Sequence, residues 1–344
     1  NTGYANGGAL SVESCIKFIL ENSVFLKNQV FNKGGSMFLN NTGKTYLFSC
    51  TLFANIIPES SYKPHIKQED FSGGAVYIYK SKKIFIVKCI LNHNIIDNIK
   101  DKSLHKRVGD IRGGAIYICK PRELFIVKCN LKYNKILKKL DSFSKFGAAG
   151  GGGIFVHENR YQRKTECLQA VFRQVQFIGN IGMAGAGLHV DNCKYVVVMG
   201  CQFLSNKAMF RPGASGGGIR IGQSDYIYIL LTHFRDNIAK ASASLHVSTY
   251  KQAIIMKRLI CFCNFKHNLA MRRITHSKVK KKSTGIIITI NGKTKPWYKT
   301  ELIILYTAYR ENQPISVRRI NRISIISCTF LNNTSEREFG GVVT

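Results

Sequence analysis

The sequence predicts an all-β fold: a single-stranded right-handed parallel β-helix of about ten coils, with loop insertions at one corner. Three observations carry this expectation. A closing motif recurs ten times, a glycine-rich opening recurs seven times, and in six of those seven the first glycine stands 21 positions before the closing asparagine. The clearest pair is GGAVYIYKSKKIFIVKCILNHN at 73–94 and GGAIYICKPRELFIVKCNLKYN at 113–134. Such self-similarity marks a solenoid, in which each repeat buries its apolar face against the next.

The closing motif is Cys, any residue, Phe or Leu, two more residues, then Asn. It ends at Asn55, Asn94, Asn134, Asn206, Asn268 and Asn333. Relaxing the first position adds copies ending at Asn28, Asn180, Asn237 and Asn312. The unit is too short for a helical hairpin and shows period two instead. After the glycines, apolar residues alternate, as at Val76 and Ile78, Leu188 and Val190, Ile219 and Ile221. A second run, IFIV at 84–87 or VVVM at 196–199, reads as another strand. The Phe or Leu of the closing motif lies on a third. Right-handedness follows the general crossover preference, and ten coils ~4.8 Å apart make a rod of roughly 50 Å.

Stacking assigns the repeated residues their roles. Asn tolerates left-handed backbone and its carboxamide both donates and accepts, so the asparagines are expected at one turn, bonded coil to coil. The glycine pair suits a positive-φ corner. The column Cys50, Cys89, Cys129, Cys201, Cys263 and Cys328 is expected inside as small hydrophobes. Cys15, Cys119, Cys167, Cys193 and Cys261 show no zinc-ligand spacing, so the cysteines leave the redox compartment open.

The chain carries 51 Lys+Arg against 19 Asp+Glu, a formal charge of +32, which favours polyanionic partners. No apolar run reaches the ~18 residues of a membrane span. Residues 1–344 are read as one repeat domain, a piece of a longer protein whose membrane anchor, if it has one, lies elsewhere. The repeat is irregular around 239–314. Inserts at 56–72, 95–112, 135–150 and 269–284 hold much of the charge, and Lys106, Arg107, Lys138, Lys139, Lys280, Lys281 and Lys282 are expected to project as one basic ridge. Its expected ligand is an anionic polysaccharide or cell-surface glycan. A nucleic acid is the alternative polyanion, on charge alone.

The outward positions of the first strand read Phe38, Tyr77, Tyr117, Phe155, His189, Arg220 and His246. Exposed aromatics there suit either sugar stacking or ladder stabilisation. The cluster His157, His189, Asp191, Arg220 and His246 raises an enzymatic alternative, a polysaccharide lyase or hydrolase. Calcium-dependent lyases need several carboxylates and hydrolases need two, whereas Asp191 has for company only Glu158 and Asp225, both assigned to loops. No metal site or cofactor is expected. Asn40, Asn332 and Asn333 head N-x-[ST] sequons, compatible with secretion.

The GGA[ILV] opening and F-x-x-N ending resemble the repeats of chlamydial polymorphic outer membrane proteins and, more broadly, pectin-lyase-like right-handed β-helices. The resemblance covers essentially the whole chain. It implies a surface-exposed or secreted adhesin-like scaffold, at the cell surface or outside the cell.

Overall fold

A computed structural model of the protein describes residues 2–3, 6–58, 71–97, 111–137, 149–157, 167–209, 214–240, 242–249, 255–270, 284–290, 299–310, 315–318, 320 and 322–332. Every described element is a β-strand, and every pairing is parallel and joins consecutive coils. Three ten-stranded sheets run along the molecule, accompanied by one of nine strands and one of three. This is a parallel β-helix. The first sheet holds the strands that follow the glycines, such as Val76–Tyr79 and Ile116–Cys119. The second holds Lys83–Val87 and Glu123–Val127, the third Ile90–Asn92 and Asn130–Lys132.

Pairing is in register, so equivalent residues stack. Met37, Val76, Ile116, Ile154, Leu188, Ile219 and Leu245 form one inward column of the first sheet. In the third sheet the Phe or Leu of the motif forms another, and Phe177, Phe203, Phe234 and Phe265 stack with ring centroids 4.6, 5.1 and 4.6 Å apart. One continuous core runs the length of the rod.

The asparagine ladder is present, on different backbone grounds from those expected. From Asn28 through Asn55, Asn94, Asn134, Asn180, Asn206, Asn237 and Asn268, each Nδ2 donates to the next Oδ1 at 2.9–3.0 Å. Each backbone N–H donates to the same oxygen at 3.0–3.1 Å. The left-handed residue is the one before the asparagine, for example His93 (φ 58), Tyr133 (φ 58) and Asp236 (φ 55). Asn is therefore selected for its carboxamide, which saturates a buried corner, and the turn is made by its neighbour. Asn312 and Asn333 lie outside the described residues.

The cysteine column repeats this scheme. Ser49, Lys88 and Lys128 have positive φ. The following Cys50, Cys89 and Cys129 are buried free thiols, and each Sγ bonds a carbonyl of the preceding coil (Leu20, Leu47, Ile86) at 3.4–3.5 Å. Cys201 and Cys263 are likewise buried, while Cys328 is half-buried. The glycine corner divides its labour: Gly73 has φ +69, and a Cβ on Gly74 would collide with the carbonyl oxygen of Gly114 on the next coil.

Two expectations are corrected. Among the described residues, each coil through the one closing at Asn268 has a fourth strand just after the asparagine, such as Ile56–Ile57, Ile95–Asp97 and Lys135–Leu137. The inserts thus begin as sheet, and three end as sheet, at Phe71–Ser72, Ile111–Arg112 and Ala149–Gly150. These strands carry one inward residue each, too few to show a period. Insertion also occurs at a second corner. Residues 158–166, 250–254 and 291–298 separate first-sheet from second-sheet strands that only residues 80–82 separate in the third coil. In the irregular stretch the register shifts between Ser242 and Leu245.

Candidate functional site

The aromatic column expected on the outside of the first sheet is buried. Phe38, Tyr77, Tyr117 and Phe155 are 7, 9, 3 and 2% exposed and form a cluster of their own with Cys119. The residues just before each glycine pair lie over it as a ledge. The Arg112 guanidinium covers the rings of Tyr117 and Phe155 at 5.6 and 5.8 Å and donates to the Tyr117 hydroxyl at 2.8 Å. Lys33 covers Tyr77 at 5.7 Å. These rings are not available to a sugar. The second sheet carries a half-exposed aromatic column, Tyr46, Phe85 and Phe125, with centroids 5.2 and 4.9 Å apart and planes within 8°. Its ring faces are spent on one another, and sugar stacking needs free faces.

The polar cluster does assemble. His189, Arg220 and His246 stack in the column that continues from Phe155, and Asp191, Gly222 and Ser248 in the next. His157 sits beside Phe155, its ring 5.7 Å away. His189 Nε2 lies 3.6 Å from Asp191 Oδ2, and any side chain on Gly150 would strike its Nδ1. Among the described residues both nitrogens are buried without a hydrogen-bond partner, in a side chain that is 6% exposed. Burial, seconded by the charge of Arg220, overrides the Asp191 contact and lowers the His189 pKa. Burial and Arg220 together bring His246 down to about 3. Burial works against ionising Asp191, but its contact with His189 and the charge of Arg220 hold the carboxyl down at about 2. Among the described residues no group of three or more His, Cys, Asp or Glu converges as metal ligands would. Asp225 does not pair with Asp191; it lies at the sheet corner, where its charge acts on Arg258. Glu158 lies outside the described residues.

A basic ridge does occur among the described residues, at a corner the sequence reading did not assign to it. Between the first and second sheets, Lys80 and Lys120 stack on successive coils, as do Lys82 and Arg122. Lys17, Lys44 and Lys83 continue the edge in register. Lys80 and Lys120 both lie over the Tyr79 ring, at 5.2 and 5.7 Å. Over the first four coils Glu123 is the one acid in the described rows, and Lys83 takes it up at 3.1 Å; farther along the rod the same rows reach Asp225 and Glu301. At ~5 Å in water, each adjacent pair of like charges costs about 0.8 kcal/mol. Lys106, Arg107, Lys138, Lys139, Lys280, Lys281 and Lys282 lie outside the described residues.

Sequence reasoning missed two further features. Cys167 and Cys193, register partners on adjacent coils, form a buried disulfide. Only the alignment of coils interrupted by insertions brings them together. Arg258 is 1% exposed at an inward position paired with Ile227, and burial lowers its pKa to about 10 against the opposing charge of Asp225.

No family model matches the chain, and neither any curated protein nor any solved structure matches it.

Proposed function

We propose that this chain is a surface-exposed or secreted, adhesin-like β-helix scaffold that binds anionic polysaccharide along the ridge at the corner of its first and second sheets. The observation that carries the reading is the row of Lys17, Lys44, Lys80, Lys82, Lys120 and Arg122. A rigid backbone holds these cations at repeated spacing with one paired acid among them. Lysines aligned this closely repel one another, and a linear polyanion lying along the rod relieves the repulsion while releasing its own counterions. The repeat motifs, similar to those of chlamydial polymorphic outer membrane proteins and pectin-lyase-like β-helices, support the scaffold role. The Cys167–Cys193 disulfide supports an oxidising location outside the cytosol. Among the described residues no helix is long and apolar enough to cross a membrane, so any anchoring through such a helix is assigned to another part of the protein.

The test is binding to heparin across a salt series, by wild type and by a variant with Lys80, Lys82, Lys120 and Arg122 all changed to Ser. Wild-type affinity should fall steeply with salt, and the variant should show weaker binding with a shallower slope, at a melting temperature equal to or above that of the wild type. Equal binding by the variant removes the ridge from the function. Equal affinity for duplex DNA of matched charge would make the protein a general polyanion binder, and release of new sugar ends would make it an enzyme.

A further inference from the structure

The polar cluster on the first sheet holds unspent hydrogen-bonding capacity that neither the ladder nor the ridge uses. Arg220 donates through Nη1 to Ser215 Oγ at 2.9 Å, yet its Nε–H is buried without a partner. His246 Nδ1 and Ser248 Oγ, two residues apart on the same face of the next strand, are also buried without partners. Ser248 itself is 2% exposed. The register places His246 beside Arg220 and Ser248 beside Gly222. Gly222 contributes no side chain, and the Asp191 carboxylate leans over it from the preceding coil. Leaving each such group unsatisfied costs about 1–3 kcal/mol, and the three stand on two register-paired strands, Arg220 beside His246 and Ser248 two residues on.

The chemistry of the groups selects the occupant. Arginine Nε only donates, and a serine hydroxyl and an imidazole each offer a donor as well. Asp191 supplies a single negative charge, already engaged by His189 on its own strand. We propose that Arg220, His246 and Ser248 form a binding site for one small oxyanion, such as a sulfate, phosphate or carboxylate group, separate from the lysine ridge. The groups acting on His246 are Arg220 and His189; Asp191 lies over Gly222 beside Ser248, while Arg112 acts on His189 and His157 on Asp191; the register neighbour of His246 on the following strand is Ile287. At neutral pH the single charges of Arg220 and Asp191 offset each other. His246 is neutral in the free site down to about pH 3, so over pH 5.5–7.5 the anion is held by the Arg220 charge and by neutral donors, and a bound anion raises the pKa of His246.

The test is NMR of the full chain selectively labelled in histidine, titrated with sodium sulfate against sodium chloride at matched ionic strength, at pH 5.5 and 7.5. Sulfate should shift the His246 resonances saturably at both pH values, where chloride does not. Loss of one charge-assisted hydrogen bond weakens binding about tenfold or more, so Arg220→Gln should lose at least that. Ser248→Ala, which alters a single hydroxyl, should weaken binding in the same direction, whereas Lys82→Ser should leave it unchanged. A heparin oligosaccharide forms a second arm. Shifts of His246 at lower oligosaccharide than sulfate concentration assign the oxyanion to a glycan, and the reverse order assigns it to a free ion; both support the site. Absence of any anion-specific shift at pH 5.5 overturns the proposal, as does an undiminished shift in both the Arg220 and the Ser248 variants.

Discussion

Replacing Asn134 by Ala removes a rung from the middle of the ladder, and the structure allows its cost to be counted. Asn134 Oδ1 accepts from both Nδ2 and the backbone N–H of Asn94, each at 3.0 Å. Its Nδ2 donates to Asn180 Oδ1 at 3.0 Å and to the Leu91 carbonyl at 2.7 Å. In the variant, Asn180 Oδ1 keeps the backbone N–H of residue 134, and Asn94 Nδ2 keeps the Leu52 carbonyl. The Asn94 amide N–H and one Nδ2 proton lose their acceptor at positions that are 0% exposed. Two orphaned donors at about 1–3 kcal/mol each, with a small cavity added, give a loss of about 3–6 kcal/mol. Asn92→Ala is the control. That residue lies on the outer face two positions earlier, and its Oδ1 accepts one bond, from Lys132 N–H at 3.0 Å, so about 0.5–1.5 kcal/mol is at stake. A long repeat array need not unfold in two states, so the readout is local: hydrogen exchange of the Asn94 amide, alongside urea unfolding. Protection there should fall by orders of magnitude in Asn134→Ala and little in Asn92→Ala. Equal effects of the two substitutions would refute the account of the ladder.

Three further outcomes follow. His189 and His246 are held neutral in the fold at pH values where an unfolded histidine, with a pKa near 6.5, takes a proton. Acid therefore favours the unfolded chain. Between pH 7.5 and 5 His246, with its pKa brought down to about 3, should cost about 2 kcal/mol, and His189 acts in the same direction; a urea midpoint flat over that range, or unaltered in slope by His246→Gln, contradicts the burial of these rings. Burial pushes the Cys201 and Cys263 thiols up to about 12, and Cys50, Cys89 and Cys129 are closed off in the same column, so native-state labelling of these thiols should be slow and should track unfolding; rapid labelling would mean that the column faces solvent. Reducing Cys167–Cys193, whose sequence separation is 26, should lower stability by about 3.5 kcal/mol on the chain-entropy account, measured as a shift of the urea midpoint with and without reductant; no shift would mean that the bridge constrains nothing.

What the sequence determined by itself is the repeated part of the protein. A β-helix stacks equivalent residues, so the demand for Asn at one corner, Cys at another and Phe or Leu between them returns in each coil and becomes readable as a period. Hence the ladder from Asn28 to Asn268 and the inward thiols were legible without coordinates. The inference failed where a position is decided by what lies above it. Phe38, Tyr77, Tyr117 and Phe155 alternate as outward residues, and they do leave the core. The ledge of Lys33 and Arg112 that buries them lies between the closing asparagine and the next glycine pair, where length and sequence vary from coil to coil. The fourth strands of two or three residues, the Cys167–Cys193 bridge and the arginine inside the rod at Arg258 were hidden for the same reason. Each depends on how non-repeating segments bring one coil into register with the next. The lysine ridge falls between these cases. Its members stand at different positions within the repeat, and only the corner between two sheets, where Lys80 meets Lys120 and Lys82 meets Arg122, gathers them on one edge of the rod.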